Sequence, residues 1–174
     1  MVDLEDYFTP RMSTSTGLTA REAIIETLNR FAAGLDDNDE ALLQSVFSEE
    51  SIFDATPMNK LGFTFSPMHG KQVVIDALMK AVGSKLDTMH HASNFLVDIK
   101  GDEAELKCYA LAQHFRLGEG LSSLAVGSKD CFLQGNRWNV DLVREEGGPG
   151  GGWKIRKFVL VPGWTFGNAE VMKG

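Results

Sequence analysis

Four histidines, His69, His90, His91 and His114, are the side chains in this sequence best suited to moving a proton near neutral pH. His90 and His91 are adjacent, so on a strand they point to opposite faces and only one can serve a given pocket. No HExxH or HxH pattern with a following carboxylate is present, and two cysteines are too few for a thiolate zinc site, so no metal is expected. Cys108 and Cys131 lie in strand patterns and read as packing thiols. There is no GxSxG elbow, Walker loop or GxGxxG after a strand, and GGPGGG at 147–152 lacks the following helix that a phosphate cradle needs. Asp36 follows an apolar helix face near a helix C-terminus, where the macrodipole disfavours a carboxylate. It either forms a solvated turn with Asp37 and Asp39 or sits at a pocket mouth, orienting an imidazole or polarising a substrate hydroxyl. Asp54, flanked by Phe53 and Ala55, likewise is either buried at a site or simply starts a turn.

The elements that must position these groups are legible in the periodicity. Thr19 followed by Glu22 has capping-box spacing, and Ile24, Leu28, Phe31 and Leu35 then recur at helical intervals. The cluster Asp36-Asp37-Asn38-Asp39 ends that helix and caps a short second one, EALLQSVF. SIFDAT reads as a strand, MNKLGFTFSPMHG as Gly/Pro-punctuated loop, and GKQVVIDALMKAV as a third helix with Val73, Val74, Ala77, Leu78 and Ala81 on one face. The period then changes to two, giving four strands: HASNFLVDIK, GDEAELKCYALAQHFRL, SKDCFLQGNRWNVDLVREE and GWKIRKFVLVPGW. The order α-α-β-α-β-β-β-β argues an α+β fold, a curved, mostly antiparallel sheet wrapped on N-terminal helices around a pocket. Along CYALAQHF one face carries Cys108, Ala110, Ala112 and His114, small groups with one imidazole. This face either lines a ligand cavity or packs a helix closely. The segment PGWTFGNAEVMKG either folds over the pocket mouth, with Trp164 and Phe166 as lid or lining, or forms a surface tail.

Composition bounds the reading. The 174 residues, 43% hydrophobic, fit one domain, divided as an arm at 1–18, a domain at 19–166 and a tail at 167–174. Seventeen Lys and Arg against twenty-four Asp and Glu give a net charge of −7, which disfavours nucleic acid and anionic membrane surfaces as partners. The start MVDLEDYFTPRM is acidic and lacks a long apolar run, and no stretch approaches the roughly 18 apolar residues of a spanning helix. The cytoplasm, with both thiols reduced, is the expected compartment. Val140, Leu142, Phe158 and Leu160 suggest a sheet face covered by another subunit, hence a homo-oligomer, dimer or trimer.

Over residues 17–166 the chain resembles the SnoaL-like branch of the nuclear-transport-factor-2-like (NTF2-like) superfamily, most nearly the scytalone dehydratase and bile-acid dehydratase type. The resemblance rests on Phe31-Ala32-Ala33-Gly34-Leu35-Asp36, Ile52-Phe53-Asp54, Thr88-Met89-His90-His91, Gln113-His114-Phe115-Arg116, Asn139 in RWNVDLVRE, and Gly152-Trp153-Lys154-Ile155. It implies a cone-shaped α+β barrel and a His–Asp pair acting as acid and base in loss of water from a cyclic alcohol. It also favours His90 over His91. Two tyrosines that hold a carbonyl-polarising water in that family are replaced here by Leu35 and Ala55, and the Asp-Arg-Asp triad of limonene epoxide hydrolase has no match. The set that remains is Asp36 with His90, plus His114 and Asn139.

Such a set suffices for proton transfer without a cofactor. An imidazole takes a proton beside a carbonyl and returns it to a leaving hydroxyl, a paired carboxylate raises its basicity, and the Asn139 amide donates to a developing oxyanion. The expectation is a lyase or isomerase acting on a small hydrophobic cyclic substrate of secondary metabolism, such as a polyketide- or terpenoid-derived ketone. A non-catalytic small-molecule-binding or assembly module of the same fold is the alternative, favoured by the Leu35 and Ala55 departures.

Overall fold

The computed structural model describes residues 17–120, 131–146 and 152–173, so residues 1–16 of the N-terminal arm and most of the Gly-rich loop lie outside the described residues. Helix α1 spans Ala20–Asp36 and begins with the capping box its sequence implies. The Glu22 backbone N–H donates to the Thr19 hydroxyl, and the Thr19 N–H donates to the Glu22 carboxylate at 2.8 Å. Asp39 caps α2 (Glu40–Val46) by accepting from the Leu42 N–H at 2.9 Å. The two helices cross closely at Gly34, where a Cβ would come within 2.8 Å of Leu43.

Strand β1 (Phe47–Asp54) leaves α2 without a loop, starting four residues before the expected SIFDAT. A 3-10 turn at Thr56–Leu61 and a two-residue strand β2 (Met68–His69) occupy the Gly/Pro-punctuated stretch. Helix α3 (Lys71–Leu78) continues as a π turn over Met79–Gly83. Its buried side is Val74, Ile75 and Leu78, whereas Val73, expected on that side, is 55% exposed. Four long strands follow: β3 (Leu86–Lys100), β4 (Glu103–Arg116), β5 (Cys131–Arg144) and β6 (Trp153–Gly167). A last 3-10 turn covers Ala169–Lys173.

The strands form one sheet in the order β2-β1-β6-β5-β4-β3, antiparallel throughout except for the parallel pair β1–β6. The α+β architecture expected from the element order is the one observed. Register shifts at Ser93/Leu96, Gly135/Asn136 and Asp141/Leu142 interrupt the long ladders, and extra residues at such points bend a strand. The helices lie across the inner face. Phe31 of α1 packs against Phe158 (centroids 4.9 Å) and Trp138 (5.6 Å), and Phe53 stacks on Phe158 at 4.9 Å. Each such ring removes some 150–250 Å² from water, so this cluster is the principal anchor between helix and sheet.

Alternation assigns every strand residue to a face. The set Val140, Leu142 and Phe158, read from sequence as an outer, subunit-covered surface, is 1%, 0% and 0% exposed, and Leu160 lines the interior cavity. These residues share parity with the buried Trp138 and its β6 neighbours, which puts them in the core. The outer face instead presents Tyr109, Leu111, Trp164 and Phe166, each about half exposed.

Candidate functional site

Between the helices and the inner sheet face lies a cavity of about 240 Å³. Its helix side is apolar, from Phe31 and Leu35 of α1 and Ala77, Leu78 and Ala81 of the α3 segment. Its sheet side carries the polar groups: His90 on β3, His114 on β4, and Gln134, Asn136 and Trp138 on β5.

His90 is the histidine of the adjacent pair that faces inward; His91 is exposed on the other side of β3. Asp36, the last residue of α1, meets it with two contacts and its neighbour Thr88 with a third. The carboxylate accepts from His90 Nδ1 at 2.6 Å, from the His90 backbone N–H at 2.8 Å and from the Thr88 hydroxyl at 2.7 Å. A carboxylate at a helix C-terminus opposes the helix dipole, and these donors offset that cost. Burial pushes the Asp36 carboxyl up, but the hydrogen bonds and charge of His90, with the Thr88 hydroxyl, outweigh it and hold the group below the usual carboxylate value. Because the carboxylate accepts a hydrogen bond from Nδ1–H, the ring proton sits on Nδ1 and Nε2 is the free nitrogen of the His90 ring.

His114 is 3% exposed, and its Nδ1 lies 3.0 Å from the Phe132 carbonyl. A carbonyl only accepts, so Nδ1 carries the proton and Nε2 is again the free nitrogen. Burial lowers the His114 pKa to about 4, helped by the positive charge available at His90 and opposed by the Phe132 hydrogen bond and by Asp36. The two imidazoles meet edge to face with centroids 5.5 Å apart. At neutral pH His114 is therefore an uncharged hydrogen-bond acceptor beside the carboxylate-paired His90.

Leu35 and Ala112 line the cavity as expected. On β4, Cys108, Ala110, Ala112 and His114 all face inward and are buried, while Tyr109 and Leu111 face out. His90, Ala112 and Gln134 are paired across β3, β4 and β5, so Ala112 forms an open floor between the imidazole and the amide. The backbones of β3 and β5 are about 10 Å apart across that floor.

Four expected positions lie elsewhere. Asn139 is on the outer face of β5, in a groove with Leu96, Lys107 and Arg137; the asparagine at the cavity is Asn136. Parity explains the difference, since Asn136 alternates in step with Trp138 and Asn139 does not. Asp54 accepts from the Thr56 N–H at 2.8 Å, starting the 3-10 turn, and its neighbour Ala55 lines the cavity instead. Trp164 and Phe166 pair with Gly135 and Leu133 on the outer side and are 53% and 55% exposed. The bulge at Gly135/Asn136 shifts β6 relative to β5, and the Trp164 indole lies against Gly135, where a Cβ would sit 2.2 Å from it. The C-terminal segment does reach the cavity, but through Met172, with Val171 fully buried beside Leu86 and Phe132.

Residues missed by sequence reasoning include Thr88, Gln134, Asn136 and Met172. The alternation Phe132-Gln134-Asn136-Trp138 was the available signal for the two amides. Among the described residues no group of three His, Cys, Asp or Glu side chains is placed to hold a metal ion, and no helix is long and apolar enough to cross a membrane.

Comparison with known proteins agrees with this architecture. Residues 16–159 match the SnoaL-like domain family. The "Terrestric acid biosynthesis cluster protein E" of Penicillium crustosum is 30% identical over 161 residues, covering 92% of this chain and 94% of its own. Among solved structures, the Kfla4162 protein of Kribbella flavida superposes with a TM-score of 0.72 at 21% identity, over 88% of this chain and 97% of the other. A scytalone dehydratase-like protein of Novosphingobium aromaticivorans gives 0.66 at 19% identity, over 85% and 91%. The family match and the long alignment to the fungal relative together establish that the chain belongs to the SnoaL-like family.

Proposed function

We propose that this protein is a cofactor-independent lyase or isomerase acting on a small, neutral, largely hydrophobic cyclic compound of secondary metabolism. One observation carries the reading: a carboxylate-paired imidazole, His90–Asp36 at 2.6 Å, opens onto a cavity whose helix side is apolar. The biosynthetic cluster named for its fungal relative supports the metabolic setting.

In this reading His90 Nε2 removes a proton from carbon beside a substrate carbonyl. The electron pair of the broken C–H bond moves to the carbonyl oxygen as an enolate, and Asp36 stabilises the imidazolium that forms. When the enolate collapses and a β-hydroxyl departs, the proton on His90 passes to that hydroxyl and water is released. Where no leaving group is present, return of the proton to a different carbon gives isomerisation. His114, held neutral, accepts a hydrogen bond from a substrate hydroxyl and orients it.

The test is deuterium uptake from D₂O into the acidic C–H positions of a cyclic ketone, β-tetralone, followed by proton NMR. Uptake is expected to exceed that in buffer, and His90→Ala is expected to lose about 10²–10⁴-fold of the excess. Uptake equal to buffer, or undiminished in His90→Ala, overturns the reading. Saturable binding of β-tetralone without uptake would instead support a non-catalytic binding module, the reading favoured by the apolar Leu35 and Ala55 in the wall.

A further inference from the structure

We propose that Phe65 is a specificity-determining residue at the mouth of the cavity, that the side chain of Asn59 positions it, and that together they admit flat neutral ligands in preference to globular ones. The inference concerns entry to the cavity and goes beyond the acid–base reading, whose chemical step it does not use.

Burial locates the mouth. Most of the lining is buried, but Phe65 is 36% exposed and Ala81 is exposed, with Met68, Ala77 and Met172 half-buried. A side chain that lines a cavity and also meets water stands at its opening. Three elements therefore form the rim: the loop leading from the first 3-10 turn to β2, the α3 segment with its π turn, and the C-terminal 3-10 turn.

Exposed loops are ordinarily the most mobile part of a fold, but this one is tied twice. Asn59 Oδ1 accepts from the Phe65 N–H at 2.8 Å, and Asn59 Nδ2 donates to the Phe65 carbonyl at 3.0 Å. One side-chain amide thus satisfies both backbone groups of one residue, as a partner strand does. Gly62, at φ +86°, turns the chain back so that the two residues meet. The rings supply the second tie. Phe65 stacks on Phe63 with centroids 5.4 Å apart, and Phe63 packs against the buried Phe132 at 6.2 Å. With its backbone and its ring both held, Phe65 gives the rim a fixed aromatic plane.

The α3 side of the rim is low, because Ala77 and Ala81, four residues apart on neighbouring turns, present only methyl groups. Met172, on the third side, is unbranched and adapts to the outline of whatever passes. A fixed ring plane and a shallow wall of methyls make a slot, narrow in one direction. A planar molecule enters it edge-on. A globular molecule of equal size requires the loop to yield, and the two Asn59 hydrogen bonds oppose that.

Two neutral ketones with the same number of carbon atoms separate shape from polarity: β-tetralone, which is flat, and 2-adamantanone, a cage. Trp138 lines the cavity, so entry and exit of each are followed by stopped-flow tryptophan fluorescence. The proteins compared are the parent, Asn59→Ala, Phe65→Ala and Phe65→Tyr, with melting curves recorded for all. In the parent, the association rate constant of β-tetralone is expected to exceed that of 2-adamantanone about tenfold or more, since entry of the cage waits on a conformational change. The ratio is expected to fall to near unity in Asn59→Ala and Phe65→Ala, chiefly through faster entry of the cage, and to persist in Phe65→Tyr, which keeps the ring plane. Should Asn59→Ala not fold, Phe65→Ala carries the same test. A purely structural Asn59 would lower the melting temperature on substitution and leave the ratio unchanged. That result, equal association rates in the parent, or no entry of β-tetralone at millimolar concentration overturns the inference. Entry is read without turnover, so absent deuterium uptake with the ratio intact would count against the acid–base reading alone.

Discussion

At the scale of single residues, Asp36 ties the end of α1 to the cavity-lining strand β3. Its carboxylate accepts from a hydroxyl, a backbone N–H and an imidazole. An amide in its place has a single acceptor atom and turns an N–H₂ group toward one of those donors. Asp36→Asn is therefore expected to lower deuterium uptake about 10²-fold or more, by allowing the wrong His90 tautomer, and to cost about 1–3 kcal/mol of stability measured by urea unfolding. His114 gives a prediction in pH. Its pKa is about 4 in the folded protein against an ordinary 6.5, so below 6.5 the unfolded chain binds a proton that the folded one refuses. Stability then falls as pH drops from 6.5 toward 4. Asp36, held below the usual carboxylate value, acts in the same direction at still lower pH, because its stabilising contacts are lost on protonation. In His114→Phe the slope of melting temperature against pH between 4 and 6.5 is expected to flatten; an unchanged slope would show that other groups control acid unfolding.

At the scale of elements, what the sequence made legible is what local chemistry dictates. The capping box at Thr19 and Glu22, the Asp39 cap and the strict alternation on β4 each depend on a few neighbouring residues, and each is found where expected. The pairing of Asp36 with His90, implied by the resemblance and not by local pattern, is observed as a 2.6 Å contact although 54 residues separate its members. The misplacements come from elements that deviate from regular periodicity. The β5–β6 bulge turns Trp164 and Phe166 outward, and the choice between Asn136 and Asn139 hinges on parity along β5, which Trp138 decides. Alternation also identifies the position where volume matters most. Ala112 is 3% exposed, and its methyl is the floor of the cavity. Ala112→Leu is expected to abolish β-tetralone binding while leaving the melting temperature unchanged or higher, because the added carbons enter open space. A loss of stability of about 1–3 kcal/mol would show instead that the floor is already close-packed.

At the scale of the whole molecule, the outer sheet face is the feature that a lone chain does not account for. Tyr109 and Leu111 on β4 and Trp164 and Phe166 on β6, the strands either side of β5, are each about half exposed, a larger apolar grouping than scattered surface residues. We propose that a second copy of this chain covers it. Light scattering is expected to report a mass above that of one chain, and Trp164→Asp with Phe166→Asp is expected to return the monomer with its cavity ligands still bound. A monomeric parent protein at micromolar concentration would refute this.

The parallel pairing of β1 with β6 has a consequence in time. β1 carries Phe53 and leads into Ala55 and Met58, all part of the cavity wall, yet its partner strand begins about a hundred residues later. At 5–20 residues per second, a growing chain exposes this wall for roughly five to twenty seconds before the strand that seats it has been made. The helices and the β3–β4 hairpin can form early from local contacts, but the enclosure that gives His90 an apolar surrounding is completed last. The closed cavity is thus acquired only once β6 has been made, and a ribosome stalled within β5 would display Asp36 and His90 without a chamber around them.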